Sequence, residues 1–330
     1  MSLGFRCPRC GGPLDPDAER VVCAGCGRVA RESREQILDL LPAGGGAEQE
    51  HYDDWYDAER SGPPPPLRSL ERHWRSRYYP MNEAVLERVG ELAGRVVLLL
   101  GNGTSEKELS FLARGPAALV FSDLSPVAVQ AARDRWAGEL EGPVYWAAID
   151  GTELPFADAS VDLVYAYAMV HHVEDVRRLL AEAGRVLRPG GRAVFSDDAY
   201  SPLWQGAKLT VLKPLMRYFH RQEPPSPEDL RFTLHGGFRE TELAALIRAA
   251  GCEPWFERSS FVHYLFTRAS ERLPPRRLFR FLAGRERLLS TLIALDRALG
   301  RLPGMRAHLI RLVWGMTKPA GGEERPGGAG

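Results

Sequence analysis

The chain has 330 residues, 44% of them hydrophobic and 26% charged, which fits a soluble globular protein of one large domain plus a small appendage. Lysine plus arginine and aspartate plus glutamate number 43 each, so no global charge draws it toward nucleic acid or anionic lipid. No apolar run reaches the roughly 18–20 residues of a membrane span, and the start MSLGFRCPRC has no apolar signal core. The expectation is an intracellular, cytoplasmic protein.

The first element in chain order is a pair of C-x2-C motifs, CPRCG and CAGCG, which carry Cys7, Cys10, Cys23 and Cys26. Each motif presents two thiolates from one tight turn, and Gly11 and Gly27 relieve the backbone just beyond. Two such knuckles brought together make a tetrahedral S4 site suited to Zn2+. The alternatives are disulfides, which lack a secretion signal to favour them, and a redox pair, which would not occur twice at this spacing. With all four positions taken by cysteine, such a zinc is structural, and it supplies much of the stability of a unit too small to fold alone. Cys252, alone after a glycine, reads as a small buried side chain.

Residues 1–42 are expected to form this zinc ribbon, and residues 43–80 a linker with a possible lid helix. The linker holds the flexible AGGGAEQE, the acidic-aromatic HYDDWYD and a stiff PPPP spacer. Tyr52, Trp55 and Tyr56 are then candidates to close over a ligand, or simply to pack. From Asn82 a regular pattern begins. NEAVLERVGELAG, SEKELSFLARG, SPVAVQAARDRWAG and VEDVRRLLAEAGRVLRPGG read as helices. RVVLLLG, AALVFSD, PVYWAAID, VDLVYAYA and RAVFSD read as strands between them. Alternation of this kind predicts an α/β, doubly wound parallel sheet with helices on both faces. It lapses over 200–235, then resumes with the helix TELAALIRAAG, the strand EPWFERSSF and a last strand in LIRLVWGMTKP. Residues 321–330 read as a disordered tail.

In such a sheet, ligands sit beyond the carboxyl ends of the strands at the point where strand order reverses. Gly101 and Gly103 follow the first strand, where backbone must turn sharply and approach a ligand closely. Asp123 ends the second strand, where a carboxylate accepts from ribose hydroxyls. Asp150, ending the third and followed by Gly151, is placed to meet an adenine amino group. A dinucleotide loop would need a third glycine where Glu106 stands, and that acid would repel a pyrophosphate. The set therefore suits an adenosine ligand without phosphate.

LLLGNGTS, FSDLSPVAVQAA and DGTELPFADASVDLVYAYAMVHHVEDVRRLLAEAGRVLRPGG resemble the successive motifs of class I S-adenosylmethionine-dependent methyltransferases, nearest to the ubiquinone/menaquinone-type group. The likeness is good over about residues 80–200 and loose over 235–320. It implies a seven-stranded Rossmann-like sheet across residues 81–320, with the last strand antiparallel and 200–235 and 268–305 as insertions. It also implies S-adenosyl-L-methionine as cofactor, with Gly101 and Gly103 along its methionine part, Asp123 at the ribose and Asp150 at the adenine. Leu124, Gly151 and Thr152 stand beside them, and Tyr167 faces the methyl-transfer region. Two positions depart from the family. Leu99 stands where an acid usually helps hold the ammonium group, and Ser105 where glycine is common; Glu106 or a water is the candidate substitute for the lost acid. The ribbon in turn resembles small zinc-ribbon methyltransferase activators and the ribbon of some bacterial rRNA guanine methyltransferases.

His171 and His172 follow the fourth strand, near the expected methyl group, and are candidates for a general base. His235, in TLHGGF, is a third; His263 reads as an ordinary core histidine. Between Arg268 and Lys318 basic residues interleave with apolar ones, suited to peripheral membrane contact or RNA phosphates if it is not simply a solvated helix face. The leading expectation is methyl transfer by in-line displacement to a small-molecule acceptor such as a quinone, lipid, sugar or secondary metabolite. The alternatives are an RNA methyltransferase that recognises its substrate through the ribbon, and a non-catalytic cofactor-binding scaffold.

Overall fold

The computed structural model describes residues 3–43, 49–50, 52–53, 81–103, 107–207, 237–266, 281 and 285–320. Strands β1 (Val21–Val22) and β2 (Val29–Arg31) pair antiparallel in the N-terminal unit. The main sheet contains β3 (Leu38–Asp39), β4 (Val96–Leu100), β5 (Ala118–Asp123), β6 (Val144–Ala148), β7 (Val161–Tyr167), β8 (Leu187–Asp198), β9 (Glu253–Ser259) and β10 (Arg311–Thr317). Their order is β3-β6-β5-β4-β7-β8-β10-β9. The pairs from β3 to β8 are parallel, and β10 runs antiparallel to both β8 and β9. The seven strands and reversed last strand expected from the resemblance are thus present, and β3 adds a short eighth at the edge.

Strand VVLLL shows how the layers form. Val96, Leu98 and Leu100 face one buried cluster, while Val97 and Leu99 face the other. A strand with apolar side chains on both faces must be covered on both sides. Helices α1 (Met81–Val89) and α2 (Pro126–Trp136) cover the second face through Val85, Val89, Val129 and Trp136. Helices α3 (Val176–Val186) and α4 (Glu240–Ala249) cover the first through Leu179, Leu180, Ala183, Leu243 and Ile247. A further described helix, α5 (Glu286–Leu299), buries Leu289 and Ile293, and its buried Asp296 accepts from the amides of Val262 (2.7 Å) and His263 (3.0 Å).

Three sequence expectations change. Within SEKELSFLARG, Lys107–Arg114 forms a 3-10 helix, where Ser110 Oγ donates back to the Lys107 carbonyl at 2.6 Å in competition with α-helical pairing. Helix α3 stops at Val186, and RPGG belongs to β8, where Gly190 at φ +77° donates to the Lys318 carbonyl. The ribbon also shares the core of the sheet. Phe5, Val21, Leu38 and Leu40 lie in one cluster with Val120, Ile149 and Phe156. Main-chain bonds run from Arg6 N to Pro155 O (2.8 Å), Ala157 N to Gly4 O (2.7 Å) and Leu40 N to Ala148 O (3.0 Å).

Candidate active site

The chain lays β4, β5 and β6 outward on one side, then returns to place β7 against β4, so strand order reverses between β4 and β7. A crevice of about 750 Å3, partly open to solvent, lies beyond the carboxyl ends of these strands. Of the residues singled out in the sequence, Gly101, Asp123, Leu124, Asp150, Gly151, Thr152 and His172 line it. Ile149, Met169, Val173 and Tyr52 join them. The first three give apolar wall, a role that isolated aliphatic residues do not announce in a sequence.

Gly101 turns at φ +60°, and a Cβ there would collide with the Met169 side chain. Gly103, at φ +52°, donates its amide to Asp123 Oδ2 at 2.6 Å. Asp123 Oδ1 accepts from Ser125 N at 2.9 Å. Burial nevertheless dominates and pushes the Asp123 pKa up to about 6, while these amides pull it down. Asp150 Oδ1 accepts from the amide and the hydroxyl of Thr152, both at 2.7 Å. Each carboxylate keeps further lone pairs on the crevice side of the fold.

Ala168, which also lines the crevice, sits at φ +52° and donates its amide to the Ser196 carbonyl at 2.7 Å. The left-handed conformation costs a non-glycine residue roughly 1–2 kcal/mol. Replacement by glycine removes that strain but adds unfolded-state freedom worth up to about 1 kcal/mol. The expected result of Ala168→Gly is a small net gain, up to ~1 kcal/mol, in denaturant unfolding; a clear loss would contradict the strain.

His171 Nδ1 lies 2.9 Å from Asp197 Oδ1, and Asp197 Oδ2 accepts from Trp314 Nε1 at 3.1 Å. The Asp197 side chain is fully buried and that of His171 is 27% exposed. Fastening Nδ1 to a carboxylate makes it the N–H nitrogen and leaves Nε2 as the acceptor. The rings of His171 and His172 are 4.0 Å apart, and that of Tyr52 meets His172 edge-on at 6.0 Å. Asp53, beside Tyr52, accepts a hydrogen bond from Ser125 Oγ.

Tyr167 and His171 are not among the residues that line this crevice. Alternation along β7 sends Tyr165 and Tyr167 to the α1/α2 face, and Ala166 to the other. The Tyr167 ring lies 2.9 Å below Lys107 Nζ, and its hydroxyl accepts from Arg311 Nη2 at 3.3 Å. Leu99 likewise points into the apolar core, fully buried, so nothing acidic stands at that position. His235, Ser105, Glu106, Trp55 and Tyr56 lie outside the described residues.

The four N-terminal cysteines converge: their sulfurs all lie within 4.8 Å of one another. The shortest separations cross between the two knuckles, Cys7 to Cys26 at 3.6 Å and Cys10 to Cys23 at 3.4 Å. These are far from the ~2.05 Å of a disulfide and near the ~3.8 Å edge of a tetrahedron with 2.3 Å zinc–sulfur bonds. Gly11 (φ +71°) and Gly27 (φ +72°) close matching turns, donating to the Cys7 and Cys23 carbonyls. The donor set and its spacing fit zinc.

Residues 98–195 match the family described as a methyltransferase domain. Among curated relatives, the demethylmenaquinone methyltransferase of Tropheryma whipplei (strain Twist) is 28% identical over 186 residues, covering 55% of this chain and 73% of that protein. Methyltransferase GfsG of Streptomyces halstedii is 38% identical over 119 residues, covering 36% of this chain and 42% of its own. The 27-O-demethylrifamycin SV methyltransferase of Amycolatopsis mediterranei (strain S699) is 29% identical over 138 residues, 39% of this chain and 51% of that one. The strand order and the crevice at its reversal, together with this match over residues 98–195, support a class I S-adenosylmethionine-dependent methyltransferase. No helix among the described residues is long and apolar enough to cross a membrane.

Proposed function

We propose that this protein methylates a small organic acceptor in the crevice beyond β4 and β7. The observation that carries the reading is the convergence of Gly101, Asp123 and Asp150, from three consecutive strand ends, on one cavity. The names of the relatives, which act on a demethylmenaquinone and a demethylrifamycin, support a small acceptor over a polymer. In this reading Gly101 and Gly103 accommodate the methionine part, Asp123 takes the ribose hydroxyls, and Asp150 takes the adenine amino group. Leu124 and Gly151 flank them. S-adenosylmethionine supplies, when bound, a methyl group on a cationic sulfur already activated for displacement.

The chain's own contribution is to position the acceptor, exclude water and accept a proton. Asp197 holds the His171 ring by Nδ1, so Nε2 is the atom that takes a proton from an acceptor hydroxyl. The same carboxylate then stabilises the imidazolium. Tyr52 closes over the crevice from the segment before the core, beside His172. The cysteine cluster holds a structural zinc, in keeping with a reducing, cytoplasmic setting.

The test is incubation with methyl-labelled cofactor and fractionated cell extract. Label is expected in the small-molecule or lipid fraction; label confined to RNA would overturn the reading. With the acceptor in hand, His171→Ala is expected to lower kcat about 100-fold while leaving the affinity for S-adenosylhomocysteine unchanged.

A further inference from the structure

A second concavity, of about 590 Å3, lies between the N-terminal ribbon and α2. It opens at the amino end of β6, where Tyr145 and Trp146 form one wall. The crevice described above takes Ile149 to Thr152 from the opposite end of that strand. The two sites therefore share a strand and no lining residue.

Three arginines line this concavity: Arg31 and Arg34 from the ribbon, and Arg133 from α2. Each is fastened by a backbone carbonyl. Arg31 Nη2 donates to Pro16 O (2.9 Å) and Ala18 O (2.5 Å), Arg34 Nη2 to Asp17 O (2.7 Å), and Arg133 Nη2 to Arg34 O (2.7 Å). A guanidinium has five N–H donors, so these bonds fix the groups without exhausting them. Arg31 Nε is buried with no hydrogen-bond partner among the described residues.

The charges are poorly compensated. Burial, then the neighbouring Arg34 and Arg133, pull the Arg31 pKa down, while Asp17 and Tyr145 oppose them. Asp17 already accepts from the Tyr145 hydroxyl at 2.8 Å. Asp134 stands 3.8 Å from Arg133 Nη1 and is 62% exposed, so water screens it. Buried donors without partners and clustered like charges are unfavourable in a resting fold. An anion with several acceptor oxygens offsets the clustered positive charge.

We propose that this pocket binds the phosphate group of a small phosphate-bearing molecule, or free phosphate, through Arg31, Arg34 and Arg133. Phosphate matches guanidinium forks in charge and geometry better than a single carboxylate does. The three arginines line one local concavity, which favours a compact ligand over a polymer. Because the arginines come from both the ribbon and α2, occupancy ties these two layers together. Ligand binding then raises the unfolding temperature of the whole chain.

The experiment titrates the full chain with inorganic phosphate and with a short single-stranded RNA, at constant ionic strength held by chloride. Trp146 fluorescence and the unfolding temperature are the readouts. Saturable 1:1 binding of phosphate is expected, with a rise in unfolding temperature. Arg34→Gln, at an exposed position, should weaken it at least tenfold, and Arg133→Gln similarly, with S-adenosylhomocysteine affinity unchanged in both. A small phosphate ester bound more tightly than inorganic phosphate would identify the source as an organic ligand. Binding seen with RNA alone, or phosphate binding equal in wild type and both variants, would overturn the proposal.

Discussion

Replacing Asp123 by alanine is expected to weaken S-adenosylhomocysteine binding by at least ~100-fold in calorimetry, taking about 1.5–3 kcal/mol for each hydrogen bond to a charged group. The two carboxylate oxygens are already oriented by the amides of Gly103 and Ser125, and the side chain is only 6% exposed. Such a group is pre-aimed, so a ribose needs no rearrangement to use it. Its burial has a second consequence. The folded pKa of about 6 lies above the ordinary 3.8, so between these values the folded chain binds more protons than the unfolded one. Asp123 therefore contributes most to stability at low pH, and that contribution disappears as pH rises through about 6. At neutral pH the ionised form costs the fold about 3 kcal/mol, at 1.36 kcal/mol per pKa unit. Ligand binding runs the other way, since the hydroxyl donors need the ionised carboxylate. Affinity should fall below pH about 6 while this residue's share of fold stability grows. An Asp123→Ala variant that binds within threefold of wild type would remove Asp123 from the site.

These opposed slopes explain why the site was legible in the sequence. A carboxylate at the end of an apolar strand is a local anomaly, visible in VFSD and again in AAID. The VVLLL alternation and the cysteine spacing are legible for the same reason, because each is written within a few residues. What stayed hidden depends on distant partners. His171 stood out, but its carboxylate comes from Asp197 on the neighbouring strand, and nothing beyond the acid pair at the end of RAVFSDD hinted at it. Tyr167 shares the α1/α2 face of β7 with Tyr165, and its partners Lys107 and Arg311 come from distant elements that the local sequence does not show. The docking of the ribbon was not legible because its partners lie far apart in the chain, Phe5 against Phe156 and residues 4–6 bonded through the main chain to 155–157.

That docking carries the second large effect. The segment bearing Ile149, Asp150, Gly151 and Thr152 is bracketed by two ribbon fastenings, Leu40 N to Ala148 O before it and the Gly4–Arg6 bonds to Pro155 and Ala157 after it. The Phe5 ring packs 4.8 Å from that of Phe156, and Phe5 is 2% exposed. If the four thiolates hold zinc as proposed, chelation or Cys7→Ser unfolds the ribbon, which has little else to close its two turns. Phe5, Val21, Leu38 and Leu40 then lose their burial, at about 1.5–3 kcal/mol each. The chain should lose most of its thermal stability margin. The adenine-side segment should lose its hydrogen-exchange protection over residues 149–157 at temperatures where the sheet is still folded. Affinity for S-adenosylhomocysteine should drop about tenfold, because ordering the segment then opposes binding. A metal-free protein that keeps both the protection and the affinity would show that the sheet holds this loop unaided, and that the ribbon is merely attached to it.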